Sequence, residues 1–225
     1  MVKLTTPKQA SFQMLCQTVS SIIPSATLQF KEKNIISLSA IDLSNVALVS
    51  AQLHLQHNIE DVDFSVDIKD IDGSGVVSIE DDNYLVIKDN NITYRYERLV
   101  ESFTKEMPKD KFTWEVSFNL IEDFTPILKS MDKKKDESLS FAIDINDQCL
   151  SFYDSPKKTV TITNDNITNS TPMKSLFSVD YIKLISSNFK YFDNVTVYMG
   201  EDYPIKFVCS MEGLEVVYIL APRII

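Results

Sequence analysis

The run from Val195 to Ile225, VTVYMGEDYPIKFVCSMEGLEVVYILAPRII, leaves little freedom in what this chain can build. Val195 to Met199 alternates as a half-buried strand does, and Ile205 to Met211 follows a corner at Glu201-Asp202-Tyr203-Pro204. Leu214 to Leu220 follows Met211-Glu212-Gly213, where Gly213 is free to take positive φ. Val, Ile, Phe and Tyr dominate the run, the residue types that fit a pleated surface. Ala221-Pro222 stops the last strand, because proline cannot donate to a ladder. The run therefore reads as three successive strands.

The upstream sequence reads in the same style. Val2 to Thr5 is a short strand candidate, and Thr6-Pro7 opens a helix with Thr6 as N-cap and Pro7 in its first turn. Phe12, Leu15, Val19, Ile22 and Ile23 form one apolar stripe at helical spacing, and Pro24 ends the helix. Strands follow at Thr27 to Phe30, Ile35 to Ile41 and Val46 to Leu55, then a hairpin of Tyr84 to Lys88 and Ile92 to Arg98. Val100 to Lys111 is charged, contains Pro108 and follows neither period, so it reads as a linker.

Past the linker the order of elements repeats. Phe112 to Phe118 is a strand, and Asn119 caps a helix with Leu120, Phe124, Ile127, Leu128 and Met131 as its stripe and Pro126 as a kink or a later start. Strands at Leu139 to Ile145, Cys149 to Tyr153 and Thr159 to Thr163 precede a polar loop, Asn164 to Thr171. A helix over Asp180 to Phe189 leads into the final three strands. The repeat predicts a duplicated α+β chain: domain 1–99, linker 100–111 and domain 112–225, each with antiparallel sheets outside and helices along one inner face. In the first half the second helix shrinks to a turn at Asp67 to Ile71.

Catalytic and metal chemistry finds little material. There is no G-x-S-x-G, P-loop or H-E-x-x-H run, and only 4 glycines are available for phosphate-binding loops. His54 and His57 stand three apart at a strand end with no third ligand placed beside them. Cys16, Cys149 and Cys209 are odd in number and far apart, as suits buried thiols in a reducing compartment. Asp70 to Asp81 imitates a calcium loop, with oxygen-bearing side chains at positions 1, 3, 5, 9 and 12. It ends on Asp81 rather than Glu, and Val76 onward reads as a strand, so a turn into a strand is the stronger reading. No catalytic residue, metal or cofactor is expected. The N-terminus shows no signal-peptide core, and no apolar run reaches the roughly 18 residues of a membrane span. The net charge of −10 argues against a surface that binds nucleic acid everywhere, but not against positive charge confined to one face.

Two runs carry a family resemblance. Tyr203-Pro204 followed by Tyr218-Ile219-Leu220-Ala221-Pro222-Arg223-Ile224 resembles the strand–Pro–strand–turn–strand ending of PCNA-type DNA sliding clamps. Ser39-Ala40-Ile41-Asp42-Leu43-Ser44-Asn45-Val46-Ala47-Leu48-Val49 is similar to a strand–loop–strand of the same family. The shortened first half looks more like a phage or viral version than a cellular one. The resemblance implies a ring, built as a head-to-tail homotrimer, that encircles duplex DNA at the replication fork inside the cell. DNA polymerase and clamp loader would be its partners, and no membrane would be involved. It places sequence-blind phosphate contacts on the helices, for which Lys8, Lys129, Lys133, Lys134, Lys183 and Lys190 are the candidates. Any amphipathic helix carries lysine on its polar face, so these positions fit a plain solvated face as well. The resemblance also implies a partner pocket at Ile41, Asn45, Val46, Met107, Pro108, Pro204, Ile219, Ala221 and Pro222. Ile41, Val46 and Ile219 equally suit an ordinary core. Cellular clamps often carry His where Asn45 stands and an aromatic where Ile219 stands, so the resemblance leaves the peptide preference open. Edge strands for ring closure are expected at Ile92 to Arg98 and Thr159 to Thr163. Two other readings stay open: a clamp-fold scaffold or transcription factor that does not encircle DNA, and a small calcium-binding β-rich protein.

Overall fold

A computed structural model of the chain describes residues 11–31, 34–55, 60–73, 75–105, 116–119, 140–146, 149–155, 158–163, 173–200 and 203–223. For 116–119, 140–146, 149–155, 158–163 and 173–174 it describes the backbone course alone. The fold is α+β with antiparallel sheets. Two compact units interleave in sequence. The first comprises Met1–Ile41, Val49–Glu106 and Ser210–Val216, and the second Asp42–Leu48, Met107–Cys209 and Val217–Ile225.

In the first unit, helix α1 spans Phe12–Ser20. Its cap is Ser11, in an extended conformation, whose hydroxyl accepts the Met14 N–H. Thr6 is therefore not the cap of this helix; it lies, with Val2 to Thr5 and Pro7, outside the described residues. The helix stops at Ser20, several residues before Pro24, where the Ser20, Ser21 and Thr18 hydroxyls turn back onto carbonyls of the preceding turn. Phe12, Leu15, Cys16 and Val19 are buried along one stripe.

The strands of this unit are β1 (Ala26–Lys31), β2 (Ile35–Ile41), β3 (Ala47–His54) and β4 (Val62–Val66), in the order β4-β1-β2-β3. Strand β4 went unread in the sequence: Val62-Asp63-Phe64-Ser65-Val66 is short and follows a charged stretch. It pairs antiparallel with β1, Leu28 opposite Phe64. Leu28, Phe30, Ile36, Leu38, Ala40, Phe64 and Val66 all turn inward. A 3-10 turn at Ile68–Asp70 occupies the place of the missing second helix, and Lys69 N–H donates to the Pro24 carbonyl at 3.1 Å. A second sheet, β5 (Val76–Glu80), β6 (Tyr84–Asp89) and β7 (Ile92–Glu97), runs in that order. The first stretch of the expected linker, 100–105, forms no helix or strand. Lys105 N–H donates to the Ser39 carbonyl at 2.8 Å, and Phe103 N–H to the Thr27 hydroxyl at 2.8 Å.

In the second unit, one sheet has the order β11-β10-β9-β12, built from β9 (Ser140–Asn146), β10 (Cys149–Ser155), β11 (Lys158–Thr163) and β12 (Met173–Ser178). Strand β12 is an addition to the sequence reading. Strands β8 (Val116–Asn119), β13 (Asn194–Met199), β14 (Ile205–Met211) and β15 (Leu214–Leu220) run β15-β14-β13-β8. Asn119, expected to cap a helix, is the last residue of β8, and the helix expected over 120–131 lies outside the described residues. Helix α2 is Val179–Ser186 rather than Asp180 to Phe189; a separate 3-10 turn, Phe189–Tyr191, follows. Phe177, Val179, Ile182, Ile185, Val197, Phe207 and Leu220 are buried. The fully buried Tyr218 takes a hydrogen bond at its hydroxyl from the Asn188 amide, 3.2 Å, as a buried phenol requires. Cys16 and Cys209 are free and buried, and burial pushes both thiols far above their ordinary range. Among the described residues no helix is long and apolar enough to cross a membrane.

Candidate partner-binding site

The turn after β2 is organised by one carboxylate. An Asp followed two residues later by a free backbone N–H closes an Asx-turn, and Asp42 does so with Ser44 N–H at 3.1 Å. Its other oxygen accepts Val46 N–H and Ala47 N–H, both at 2.7 Å. The Asp42 backbone closes the turn: its N–H donates to the Ala47 carbonyl, and its carbonyl accepts Asn45 N–H, each at 2.9 Å. Asn45 takes φ 55, the left-handed conformation that Asn tolerates better than most non-glycine residues. A fourth donor reaches the carboxylate from α2, the Tyr181 hydroxyl. Asp42 is only 8% exposed. Burial pushes its carboxyl up, but hydrogen bonds from Ala47, Tyr181, Val46 and Ser44 outweigh that and hold it below the usual range. Tyr181 is pushed the other way, by burial first and then by its bond to Asp42.

The tail meets this turn. Alternation along β15 buries Tyr218 and Leu220 and leaves Ile219 half-buried on the other face. Beyond the strand, Ala221 N–H donates to the Val46 carbonyl at 2.9 Å, and Arg223 N–H to the Leu176 carbonyl at 2.7 Å. The second unit therefore brings together Val46 and Ala221, with Asn45 on one side and Ile219 and Pro222 in the adjoining chain. Asn45 is exposed; Val46, Pro204, Ile219, Ala221 and Pro222 are half-buried. Ile41 is half-buried at the end of β2, in the first unit. Met107 and Pro108 lie outside the described residues. Asp42 and Tyr181 escaped the sequence reading, although the D-x-S spacing was a usable turn signal; Tyr181 had none, since it stands 139 positions from its partner.

The lysine candidates divide unevenly. Lys183 is half-buried on α2, and Lys190 is exposed in the 3-10 turn with its Nζ 4.9 Å from the Tyr191 ring centre. Lys8, Lys129, Lys133 and Lys134 lie outside the described residues. The calcium-like run Asp70 to Asp81 begins on the last residue of a 3-10 turn and contains β5, and Glu80 faces Lys88 at 3.6 Å and Arg95 at 4.0 Å. Among the described residues no three His, Cys, Asp or Glu side chains come together as metal ligands. His54 ends β3, its N–H on the Gly213 carbonyl at 2.8 Å, and His57 lies outside the described residues.

No protein-family model matches the chain. Curated relatives match over nearly all of it. The DNA polymerase sliding clamp of Methanocella arvoryzae is 24% identical, and that of Archaeoglobus fulgidus 27%, covering 95% and 92% of this chain and 95% and 93% of theirs. Among solved structures, A. fulgidus PCNA bound to the C-terminal region of FEN-1 superposes with a TM-score of 0.80 at 20% identity, covering 95% of each chain. That likeness establishes the fold. The curated relatives are archaeal clamps, and nothing among them points to a phage or viral version. In sequence along nearly its whole length, and in fold, the chain is similar to the archaeal PCNA-type DNA polymerase sliding clamps.

Proposed function

We propose that this chain is a DNA polymerase processivity factor, a sliding clamp that encircles duplex DNA and tethers a polymerase to it. The observation that carries this reading is the full-length likeness to archaeal DNA polymerase sliding clamps. In this reading domains 1–99 and 112–225, joined by 100–111, repeat three times around the ring. Among the described residues strands β7 and β11 each end their own sheet, and this reading uses their edges for head-to-tail pairing in a homotrimer. Lys183 and Lys190, with Lys8, Lys129, Lys133 and Lys134, supply loose attraction to phosphates without reading bases, which lets the ring slide. Polymerase and clamp loader dock through short peptides at Asn45, Val46, Pro204, Ile219, Ala221 and Pro222, with Ile41, Met107 and Pro108 contributing. The bound FEN-1 C-terminal region on A. fulgidus PCNA supports a peptide-docking role. The replication fork inside the cell is where such a ring acts; a viral or phage origin rests on the short first half alone.

The test is topological. Loaded onto nicked circular DNA, the protein should remain bound through gel filtration and be lost when the circle is cut, and its retention on circles should not depend on sequence. Retention after linearisation, or binding confined to one sequence, rejects the ring. A second reading is favoured by one observation: Phe12–Ser20 of α1 carries no Lys or Arg, and Val179–Ser186 of α2 carries only Lys183. A clamp-fold scaffold that docks partners without encircling DNA would bind peptides normally and never be trapped on circles.

A further inference from the structure

The turn between Asp42 and Ala47 carries two of the candidate pocket residues, Asn45 and Val46, yet nothing in those two side chains fixes where the turn lies. Its shape is held by the Asp42 carboxylate, which gathers three backbone N–H groups from Ser44, Val46 and Ala47. A carboxylate with that many donors from its own loop can close the loop but cannot orient it against the rest of the unit. The one described bond that does so from a side chain outside the turn comes from the Tyr181 hydroxyl, on α2. The turn's other tie is Val46 carbonyl to Ala221 N–H, which fixes the tail to the turn. The turn is thus both clasped by α2 and used as the anchor of the tail.

We propose that Tyr181 is a positioning residue for the partner-binding turn: its hydroxyl, seated on the Asp42 carboxylate, holds Asn45, Val46 and the Ala221 tail in the geometry that a docking peptide meets. This rests on the partner-docking reading above and adds to it a residue that touches no partner. Helix α2 then has two tasks on two faces, with Ile182 and Ile185 buried in the core and Tyr181 setting the turn.

The test compares wild type with Tyr181→Phe, which keeps the ring and removes the oxygen. The probe is the FEN-1 C-terminal peptide, followed by calorimetry from neutral to acid pH. The Ser44, Val46 and Ala47 amides are followed by NMR over the same range, and thermal melting confirms that the variant folds. Losing one hydrogen bond to a charged acceptor should weaken peptide binding roughly three- to ten-fold. The amide signals should move, and the pH midpoint at which they report Asp42 protonation should rise, because one donor that keeps the carboxyl low is gone. The charged neighbours in the chain, Asp180 and Lys183 on α2 and Arg223 after β15, are the same in both proteins, so the difference isolates the hydroxyl. Unmoved amides and an unmoved midpoint overturn the proposal, whatever the peptide does. Moved amides with unchanged peptide affinity also overturn it, since the turn would then be positioned for nothing the peptide meets. If wild type binds no peptide, the docking reading fails and the partner role assigned to Tyr181 fails with it, while the amides still report whether the phenol holds the turn.

Discussion

Four hydrogen bonds meet on the Asp42 carboxylate, and their consequences can be read against pH. The carboxyl sits below the ordinary range in the folded protein, so its contribution to stability is complete above the unfolded-state value and disappears as pH falls through the folded one. Asp42→Asn keeps the size but removes the charge and turns one of the two acceptor oxygens into an N–H donor facing other donors. It should cost about 1–3 kcal/mol at neutral pH. The difference in melting temperature between variant and wild type should shrink below about pH 4, where the unfolded carboxyl is protonated. A gap that stays constant from neutral to acid pH would mean the charge contributes nothing. Asn45 shows the same local economy: φ 55 is what the turn requires, and Asn meets it without the full entropic penalty of Gly.

At the scale of elements, the hairpin β5–β6–β7 shows how a motif and a turn can share one pattern. Asp70-Ile71-Asp72-Gly73-Ser74-Gly75 has calcium-loop spacing because both structures want acidic side chains and glycine at a sharp bend. Here the bend delivers the chain into β5. Gly73 has φ 91, and a Cβ on Gly75 would lie 1.9 Å from the Lys88 carbonyl oxygen on β6. Backbone cannot yield as a side-chain end can, so Gly75→Ala should cost more than about 2 kcal/mol and lower the urea midpoint. Wild-type stability in that variant would show that the close approach is not maintained in solution. Cross-strand contacts finish the hairpin: Arg95 stacks 3.9 Å from the Tyr84 ring centre, and the Glu80 pairs with Lys88 and Arg95 are exposed enough to add little.

For the whole molecule, the tail gives the sharpest prediction. Deleting Ala221 to Ile225 removes the Ala221 bond to Val46 and the Arg223 bond to Leu176, but none of the buried residues of β15. The fold should survive with a loss of about 1–2 kcal/mol, while peptide binding should weaken by about 1–3 kcal/mol. Calorimetry and melting on the same truncation separate the two. Unchanged binding places the pocket elsewhere, and global unfolding makes the tail part of the core.

Periodicity alone located most of the described strands, with β2, β14 and β15 matching residue for residue, because alternation along a half-buried strand is written in consecutive positions. It also exposed the shrunken second helix of the first half and the Asp70–Asp81 run as a turn into a strand. What it missed was decided by partners distant in the chain. Strands β4 and β12 are as short as β5 and β6 and stand beside charged or polar stretches, so it is their pairing with β1 and β9 that marks them as strands. The first helix was given an earlier start because Thr6-Pro7 and Ser11 are both sound caps, and only the hydrogen bond to Met14 N–H chooses between them. Sequence similarity put Asn45, Val46 and Ala221 in one site; the bond from Ala221 to Val46 and the clasp of Tyr181 on Asp42 came from the fold. A hydrogen bond between residues 139 positions apart leaves no local trace, since nothing in either residue's neighbours depends on the other until the chain has folded.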